Sequence, residues 1–279
     1  MSKVRDYYDA NTWKWLLSGT DGALHRELWG PGAADRRDAL HYVHRRVLDQ
    51  VTALCPSGQA RVVDLGCGVG AGAVYLARHV PAEVHGLSLS PRQVAHAERR
   101  ARRHGGALRG TCSFHEADFC ALSPAVAGAV AGADLAYAIE SFVHAESAAA
   151  FFDQVARVLR PGGRLVLVDD LLTAAGAASR EEPMLAAFRA GWQIHSLLGA
   201  DDVAALAARS GLAMVGRTCL SPFMRLGRPR DRFIRALQPI LRQGQRYSHW
   251  CQSLVGGDAL QRCHQAGLLE YDELVLARS

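Results

Sequence analysis

The sequence of 279 residues has no stretch of about 18 uncharged apolar residues and no apolar run near its start. These two absences argue against a membrane-spanning helix and against a secretory signal peptide. Its seven cysteines form no C-x-x-C pair and no zinc-like spacing, and an odd count in a chain of this length indicates reduced thiols. We therefore expect a cytoplasmic protein.

Charge of either sign is also modest. Charged residues make up 21% of the chain, and 32 lysines and arginines against 27 acids leave a net charge of +5. So small an excess does not call for a nucleic-acid partner. The apolar fraction of 49% is typical of a packed protein, and the length fits one large domain or one domain with a substantial insertion.

From residue 60 onward, short apolar runs alternate with helix-like segments. The predicted strands are Arg61–Leu65, Glu83–Ser88, Cys112–Glu116, Leu135–Ile139, Arg164–Asp169, Met214–Cys219 and Leu269–Ala277. The predicted helices between the first five are Gly70–His79, Pro91–His104, Ser123–Val130 and Ser147–Leu159. Strands that alternate with helices predict an α/β fold with a parallel sheet and helices on both faces.

The rest of the chain departs from this alternation. Residues 1–59 have helical apolar spacing and are expected to form an amino-terminal helical cap on a domain that spans residues 60–279. Residues 171–200 and 221–268 are too long for simple connections, and such insertions usually form lids or pocket walls.

A glycine-rich loop follows the first predicted strand, with Gly66, Gly68 and Gly70 at alternate positions before a helix. Glycine lets the backbone turn tightly and lets a ligand approach the N–H groups at a helix start. The pattern alone would also fit a dinucleotide site. However, the carboxylate of Asp64 would repel a pyrophosphate, whereas it suits an ammonium or a sulfonium.

This D-x-G-x-G-x-G segment resembles motif I of class I S-adenosylmethionine-dependent methyltransferases. Gly86-Leu87-Ser88-Leu89-Ser90-Pro91-Arg92-Gln93 is similar to the variant of tocopherol, cyclopropane-lipid and prenyl-chain methyltransferases that lacks an acid for the ribose. Asp118-Phe119 resembles the family's adenine site, and Pro161-Gly162-Gly163 resembles its turn before the fifth strand.

The resemblance covers residues 60–170 and implies S-adenosylmethionine as the cofactor, bound on a Rossmann-like seven-stranded sheet with a final antiparallel hairpin. It implies that the cofactor contacts Tyr8, Asp64, Gly66, Gly68, Gly70, Leu87, Ser88, Gln93, Asp118 and Phe119. Other hypotheses are an NAD(P)-dependent oxidoreductase and a regulator that binds S-adenosylmethionine without catalysis. RNA methylation is disfavoured, because no Asn/Asp-Pro-Pro-aromatic motif is present.

The fourth predicted strand ends in Glu140-Ser141-Phe142-Val143-His144, which resembles lipid and isoprenoid C-methyltransferases. Methylation of an alkene leaves a carbocation, which aromatic faces stabilise and a base must deprotonate. Glu140 is the predicted base, with His144 orienting it or acting in its place. The aromatic residues predicted to line the substrate cavity are Trp192, Phe223, Tyr247 and Trp250.

The leading hypothesis is therefore methyl transfer to a carbon–carbon double bond of an isoprenoid small molecule in bacterial specialised metabolism, with or without cyclisation. The alternative is O- or N-methylation of a natural-product scaffold, with His144 or His195 as the base. Exchange of the amino-terminal helices between subunits of a homo-oligomer is left open.

The segment Arg217–Arg246 holds eight arginines against one acid, Asp231. One interpretation is a clamp for a prenyl diphosphate, because arginine matches phosphate oxygens bidentately. The other is a solvated basic helix face. Mg²⁺ is expected only with a diphosphate substrate. Because Asp169 and Asp170 would point to opposite faces of a strand, no metal site is predicted.

Overall fold

The computed structural model describes residues 25–56, 59–245 and 248–279, together with Arg5, Asp9 and Thr12. Two residues predicted to belong to the site, Tyr8 and Tyr247, lie outside the described residues. Within the described ranges, no helix has the length and apolar character that crossing a membrane requires.

Seven strands form one sheet in the order β3-β2-β1-β4-β5-β7-β6. The strands are β1 Arg61–Leu65, β2 Glu83–Ser88, β3 Thr111–Glu116, β4 Ala133–Ile139, β5 Leu159–Leu172, β6 Leu212–Cys219 and β7 Leu269–Arg278. Strands β1 to β5 are parallel, whereas β7 runs antiparallel to both β5 and β6. The predicted α/β class, the seven strands and the final antiparallel hairpin are confirmed.

Twelve helices of at least five residues are described. They are α1 Arg36–Leu40, α2 Tyr42–Leu54, α3 Ala71–His79, α4 Pro91–His104, α5 Pro124–Val130, α6 Ala148–Val158, α7 Ala174–Ala178, α8 Pro183–Trp192, α9 Ala200–Arg209, α10 Pro229–Ala236, α11 Gln238–Gly244 and α12 His249–Gln265. Their starts follow local signals. At α4, for example, the Ser90 hydroxyl accepts the Gln93 N–H at 3.1 Å and Pro91 occupies the first turn.

The two faces of the sheet bury separate apolar clusters. On one face, Val63 packs with Phe151 and Phe152 of α6. On the other face, its neighbour Val62 packs with Val47 of α2. Successive strand residues point to opposite faces, so a strand covered by helices on both sides is apolar along its whole length. Each such buried side chain contributes roughly 1.5–3 kcal/mol.

Strand β5 is longer than predicted. It begins at Leu159 and includes Pro161-Gly162-Gly163, where Gly162 has φ 73°. Leu159 pairs with Ala133, and the register shifts before Leu135 pairs with Arg164. The glycine turn is therefore an irregularity within the strand, and the backbone is already extended before it.

Both long insertions contain helices, and these helices contact each other. Helix α8 crosses α12 where Gly191 meets Gly256: a Cβ built on Gly191 would lie 2.4 Å from the Gly256 Cα. Leu185 and Phe188 of α8 and Ala259 of α12 share a third apolar cluster. This pair of helices covers the carboxyl ends of β4 and β5.

Candidate functional site

A cavity opens where β1, β2, β4 and β5 end, at the edge of the sheet at which α/β proteins bind ligands. Its empty space, with the open mouth included, is about 1460 Å³. One part is lined by the loops after β1, β2 and β3. The other part is lined by the ends of β4 and β5 and by helices α8 and α12. The cavity therefore has two parts, one beside the glycine loop and one beside helices α8 and α12.

The glycine loop forms one wall of the cavity. Gly66, Gly68 and Gly70 all have left-handed backbone angles, with φ of 97°, 51° and 78°. A Cβ on Gly66 would lie 2.5 Å from the Ser141 Cβ, so a larger residue there would also clash. Gly66 and Gly68 line the cavity. Gly70 does not line it and is the amino-terminal cap of α3.

Leu87 supports the same loop through its backbone carbonyl. Its side chain is fully buried in the core, and its carbonyl oxygen accepts the Gly66 and Cys67 N–H groups at 3.0 and 2.8 Å. The prediction that Leu87 contacts the cofactor is not supported by its position, because its side chain points into the core and its carbonyl is used by the loop.

Asp64 lies buried at the base of the cavity, where its Oδ2 accepts the Tyr137 hydroxyl at 2.7 Å. Burial raises the pKa of the Asp64 carboxyl to about 7, although the hydrogen bond from Tyr137 opposes this shift. A cation placed beside Asp64 would favour the carboxylate form, so the position fits the ammonium of an amino-acid ligand.

A neutral pair, Ser88 and Gln93, stands where dinucleotide enzymes carry an acid. The Ser88 hydroxyl donates to Gln93 Oε1 at 2.8 Å, which fixes the orientation of the amide. Gln93 Nε2 is then buried without a hydrogen-bond acceptor among the residues the structure describes, and both side chains line the cavity. A buried unsatisfied donor is costly unless a ligand satisfies it. Gln93 Nε2 therefore fits a ribose oxygen.

Asp118 and Phe119 close the same part of the cavity. Asp118 Oδ1 accepts the Cys120 N–H at 2.8 Å, which orients the carboxylate. Phe119 is 8% exposed and packs edge-on against Phe151, with ring centroids 5.4 Å apart. The structure thus brings the loop glycines, Asp64, the Ser88–Gln93 pair and Asp118-Phe119 around one space, as the resemblance implies.

Glu140 lines the cavity just beyond the end of β4 and is held by Arg26, a residue that no sequence motif identifies. Glu140 Oε1 accepts the Arg26 N–H at 3.0 Å, the Arg26 Nε–H at 2.9 Å and the Tyr271 hydroxyl at 2.9 Å. Glu140 also has a positive φ of 49°, a strained angle for a residue with a side chain. Three donors, one of them in an ion pair, therefore occupy this oxygen.

Arg26 also binds Asp170. Its two terminal nitrogens donate to the two carboxylate oxygens of Asp170 at 2.8 and 2.6 Å, and His264 contacts Asp170 at 2.7 Å. Burial alone would raise the pKa of Asp170, but Arg26 and His264 hold it below its ordinary value. No spacing in the sequence links residues 26, 140 and 170, so only the fold reveals this cluster.

His144 is buried beside the same cavity. Burial lowers the pKa of its imidazole to about 4, so the ring is neutral at pH 7. Its Nδ1 lies 3.2 Å from the Gln193 carbonyl oxygen. Because a carbonyl only accepts, Nδ1 carries the proton and Nε2 carries the lone pair. His195, the other predicted base, is exposed and does not line the cavity.

An apolar wall faces these polar groups. It consists of Val143, Phe188, Trp192, Ile194 and Leu260. Of the predicted substrate aromatics that the structure describes, Trp192 alone is placed there. The predicted positions of two others need correction. Phe223 packs against Tyr42 in the core, with ring centroids 5.5 Å apart, and Trp250 is 50% exposed on the surface.

The described arginines of the segment 217–246 do not form a clamp at the cavity. Four of them have contacts elsewhere: Arg217 with Asp272 and Glu270, Arg225 on the Trp29 ring, Arg228 with Glu27, and Arg235 with Asp258. Among the described residues that line the cavity, Arg26 is the single arginine or lysine. The prediction of a diphosphate clamp is therefore not supported by the placement of these arginines.

Known proteins resemble this chain in sequence and in fold. Residues 62–163 match a family model described as a methyltransferase domain. The O-methyltransferase rstn1 of Aspergillus nomiae is 31% identical over 216 residues, which are 77% of this chain and 90% of that protein. Methyltransferase GfsG of Streptomyces halstedii is 35% identical over 168 residues, which are 60% of this chain and 57% of that protein.

Two solved structures share the fold over nearly the whole chain. The [4+2]-cyclase SpnF has a TM-score of 0.73 at 22% identity, with 99% of this chain and 95% of that chain covered. A geranyl diphosphate methyltransferase in complex with GPP and sinefungin has a TM-score of 0.72 at 16% identity, with 99% and 98% covered.

Proposed function

The chain belongs to the S-adenosylmethionine-dependent methyltransferases, and we propose that it methylates a hydroxyl oxygen of a neutral, largely apolar natural product, with His144 as the proton acceptor. The observation that carries the proposal is the buried, neutral His144 at the edge of an apolar cavity wall. The relative rstn1 is named an O-methyltransferase, and this name supports the same class of reaction.

Bound S-adenosylmethionine supplies an electrophilic methyl group. Asp64 is the proposed partner of its ammonium, Ser88 and Gln93 of its ribose hydroxyls, and Asp118 of its adenine amino group, with Phe119 beside the ring. The buried Nε2 of Gln93, which lacks an acceptor within the described part of the chain, is the observation that favours this orientation.

His144 is suited to accept the proton that a hydroxyl loses when its oxygen is methylated. The ring is neutral at physiological pH, and the Gln193 carbonyl accepts from Nδ1, which leaves the lone pair on Nε2. The nearby carboxylate of Glu140 favours the imidazolium that forms. Val143 and Trp192 would shield the reacting oxygen from water.

The charges in the cavity favour a neutral acceptor. Arg26 is already paired with Glu140 and Asp170, so its charge is not available to a phosphate. Six acids are among the described residues that line the cavity: Asp64, Asp118, Glu140, Glu146, Asp169 and Asp170. Those of them that are ionised would repel a diphosphate, which is unfavourable.

Methylation of an isoprenoid double bond is the second candidate. The fold shared with a geranyl diphosphate methyltransferase and the position of Glu140 at the cavity support it. Against it, Glu140 Oε1 is already occupied by three hydrogen-bond donors, the Arg26 N–H and Nε–H and the Tyr271 hydroxyl. The described aromatics on the acceptor side are Phe188 and Trp192, which offer few faces for a carbocation.

The variant His144→Ala tests the proposal against its rival. With ¹³C-methyl-labelled S-adenosylmethionine and a panel of phenols, macrocyclic lactones and geranyl diphosphate, we expect label on oxygen in a neutral acceptor. The variant should lower kcat by about 10²–10⁴-fold and leave the affinity for S-adenosylhomocysteine unchanged. In the unsubstituted protein saturated with S-adenosylmethionine, the acid limb of kcat/KM for the acceptor should lie near pH 4, since His144 must be neutral and its pKa is about 4.

His195→Ala is the matched control, because this histidine is exposed and lies outside the cavity lining, so full activity is expected. Label on carbon together with loss of turnover in Glu140→Gln would instead support methylation of an isoprenoid double bond. Unchanged kcat in His144→Ala would remove His144 from the mechanism.

A further inference from the structure

Helices α10 and α11 carry an apolar stripe that faces solvent. The two helices are nearly continuous, because the Leu237 N–H donates to the Phe233 carbonyl at 3.2 Å and the Leu241 N–H donates to the Leu237 carbonyl at 3.0 Å. Pro229, Phe233, Ala236, Leu237 and Ile240 recur at the spacing of one helix face.

The large apolar side chains of this stripe are mostly exposed to solvent. Phe233 is 65% exposed and Ile240 is 68% exposed, while Pro229 and Ala236 are also exposed. The opposite side of the same helices is packed: Gln238 and Leu241 are buried, and Arg235 forms an ion pair with Asp258 of α12 at 2.9 Å. The stripe is therefore an outer face of the folded protein and not a part of its core.

Arginines flank the stripe. Residues 225–245 contain six arginines and one acid. That acid, Asp231, is buried and accepts the Arg228 N–H at 2.9 Å, so it does not neutralise the outer surface. Arg230 and Arg242 are exposed and have no ion-pair partner among the described residues. The surface thus combines exposed apolar side chains with uncompensated positive charge.

We propose that this stripe docks the protein on the surface of an anionic lipid bilayer. An exposed apolar helix face with arginine at its borders is the pattern of a helix that lies in the membrane interface. The apolar side chains would enter the headgroup boundary, and the arginines would contact anionic headgroups. A second copy of the chain fits poorly, because a symmetric contact would oppose arginine to arginine.

Vesicle flotation without acceptor or cofactor tests this docking. Full-length protein is incubated with vesicles of phosphatidylglycerol and phosphatidylcholine, or of phosphatidylcholine alone, at low and high salt. We expect binding to the anionic vesicles, and much weaker binding at 0.5 M salt, where the Debye length is only about 4 Å. The double variant Phe233→Ser/Ile240→Ser should weaken binding by about tenfold or more.

Matched controls separate this surface from general stickiness. Val215→Ser removes an apolar side chain that is 58% exposed on strand β6, outside the stripe, and should bind like the unsubstituted protein. Arg230→Glu should weaken binding more than Arg103→Glu, which makes the same charge change on the exposed face of α4. Circular dichroism and S-adenosylhomocysteine binding verify that each variant is folded.

Three results would overturn the proposal. They are absence of binding to anionic vesicles, equal binding to neutral vesicles, and equal losses in the stripe variants and their controls. A change in oligomeric mass caused by Phe233→Ser/Ile240→Ser, with vesicle binding unchanged, would instead assign the stripe to a protein contact. None of these readouts depends on which atom the enzyme methylates.

Discussion

Asp64 sits at a pKa that makes ligand binding sensitive to pH. Burial raises the pKa of its carboxyl to about 7, and Tyr137 is its hydrogen-bond donor. A ligand with an ammonium group binds the carboxylate form in preference to the neutral acid. Binding of such a ligand should therefore release a proton from Asp64 between about pH 6 and pH 8.

We accordingly expect the affinity for S-adenosylhomocysteine to increase by about tenfold from pH 6 to pH 8, because the ionised fraction of a group with a pKa near 7 rises by that factor. Titration calorimetry in buffers of different ionisation enthalpy measures both the affinity and the released proton. Asp64→Asn should bind more weakly and show a flat profile. If the affinity of Asp64→Asn for S-adenosylhomocysteine rose with pH as steeply as that of the unsubstituted protein, the released proton would come from another group.

The cofactor side of the site could be predicted because its residues follow strand ends at fixed spacing. Asp64, Ser88 and Asp118 each lie at or just beyond the carboxyl end of a short apolar run, and parallel strands bring such ends together. Arg26 could not be predicted in this way. Its contacts to Glu140 and Asp170 span 114 and 144 residues, and they depend on how the amino-terminal segment crosses the sheet.

Among the larger elements, helices α8 and α12 set the shape of the acceptor cavity. Their close crossing at Gly191 and Gly256 brings Trp192 over Gly256, and Trp192 and Leu260 both line the cavity. A Cβ on Gly256 would lie 2.2 Å from the Trp192 Cδ1, so the indole ring would have to move. The glycine therefore determines where the apolar wall stands.

Gly256→Ala should raise the KM for the acceptor by about tenfold and leave the affinity for S-adenosylhomocysteine unchanged, because overpacking of about 1–3 kcal/mol falls on the apolar wall. Steady-state kinetics and calorimetry measure the two effects. Gly257→Ala is the matched control, since its Cβ would meet only the Trp192 Cζ2, at an ordinary 4.0 Å. Similar kinetics in both variants would show that Trp192 does not bound the acceptor.

The sequence predicts the sheet better than it predicts the insertions. Each strand is a short apolar run bounded by polar or glycine residues, which is a local signal. The presence of aromatic residues in an insertion does not predict which way their side chains point. Phe223 turns into the core because the Trp29 N–H donates to its carbonyl at 2.7 Å and Leu28 pairs with Met224 beside it. Trp192 faces the cavity because it ends a helix packed on α12.

At the scale of the whole molecule, Arg26 joins the amino-terminal segment to the sheet. The segment is anchored by the Leu28–Met224 bridge, and Arg26 extends from it to Glu140 at the end of β4 and Asp170 in β5. Its guanidinium also lies over the Tyr271 ring of β7, 4.3 Å from the centroid. Because these groups are largely buried, loss of the cation would leave two carboxylates without their main partner.

Arg26→Met should therefore lower the free energy of unfolding by about 3–5 kcal/mol at pH 7, the cost of breaking a buried ion pair from one side. Arg36→Met is the matched control, because Arg36 pairs with Glu27 but is 51% exposed, and a surface pair contributes under about 1 kcal/mol.

Asp170 has its pKa held below the ordinary value, so its ion pair stabilises the fold above about pH 4 and this contribution fades as the pH falls. The gap between Arg26→Met and the unsubstituted protein should then narrow in acid. Urea denaturation at several pH values measures it, and equal losses in the two variants would mean that the amino-terminal segment is not held by this cluster.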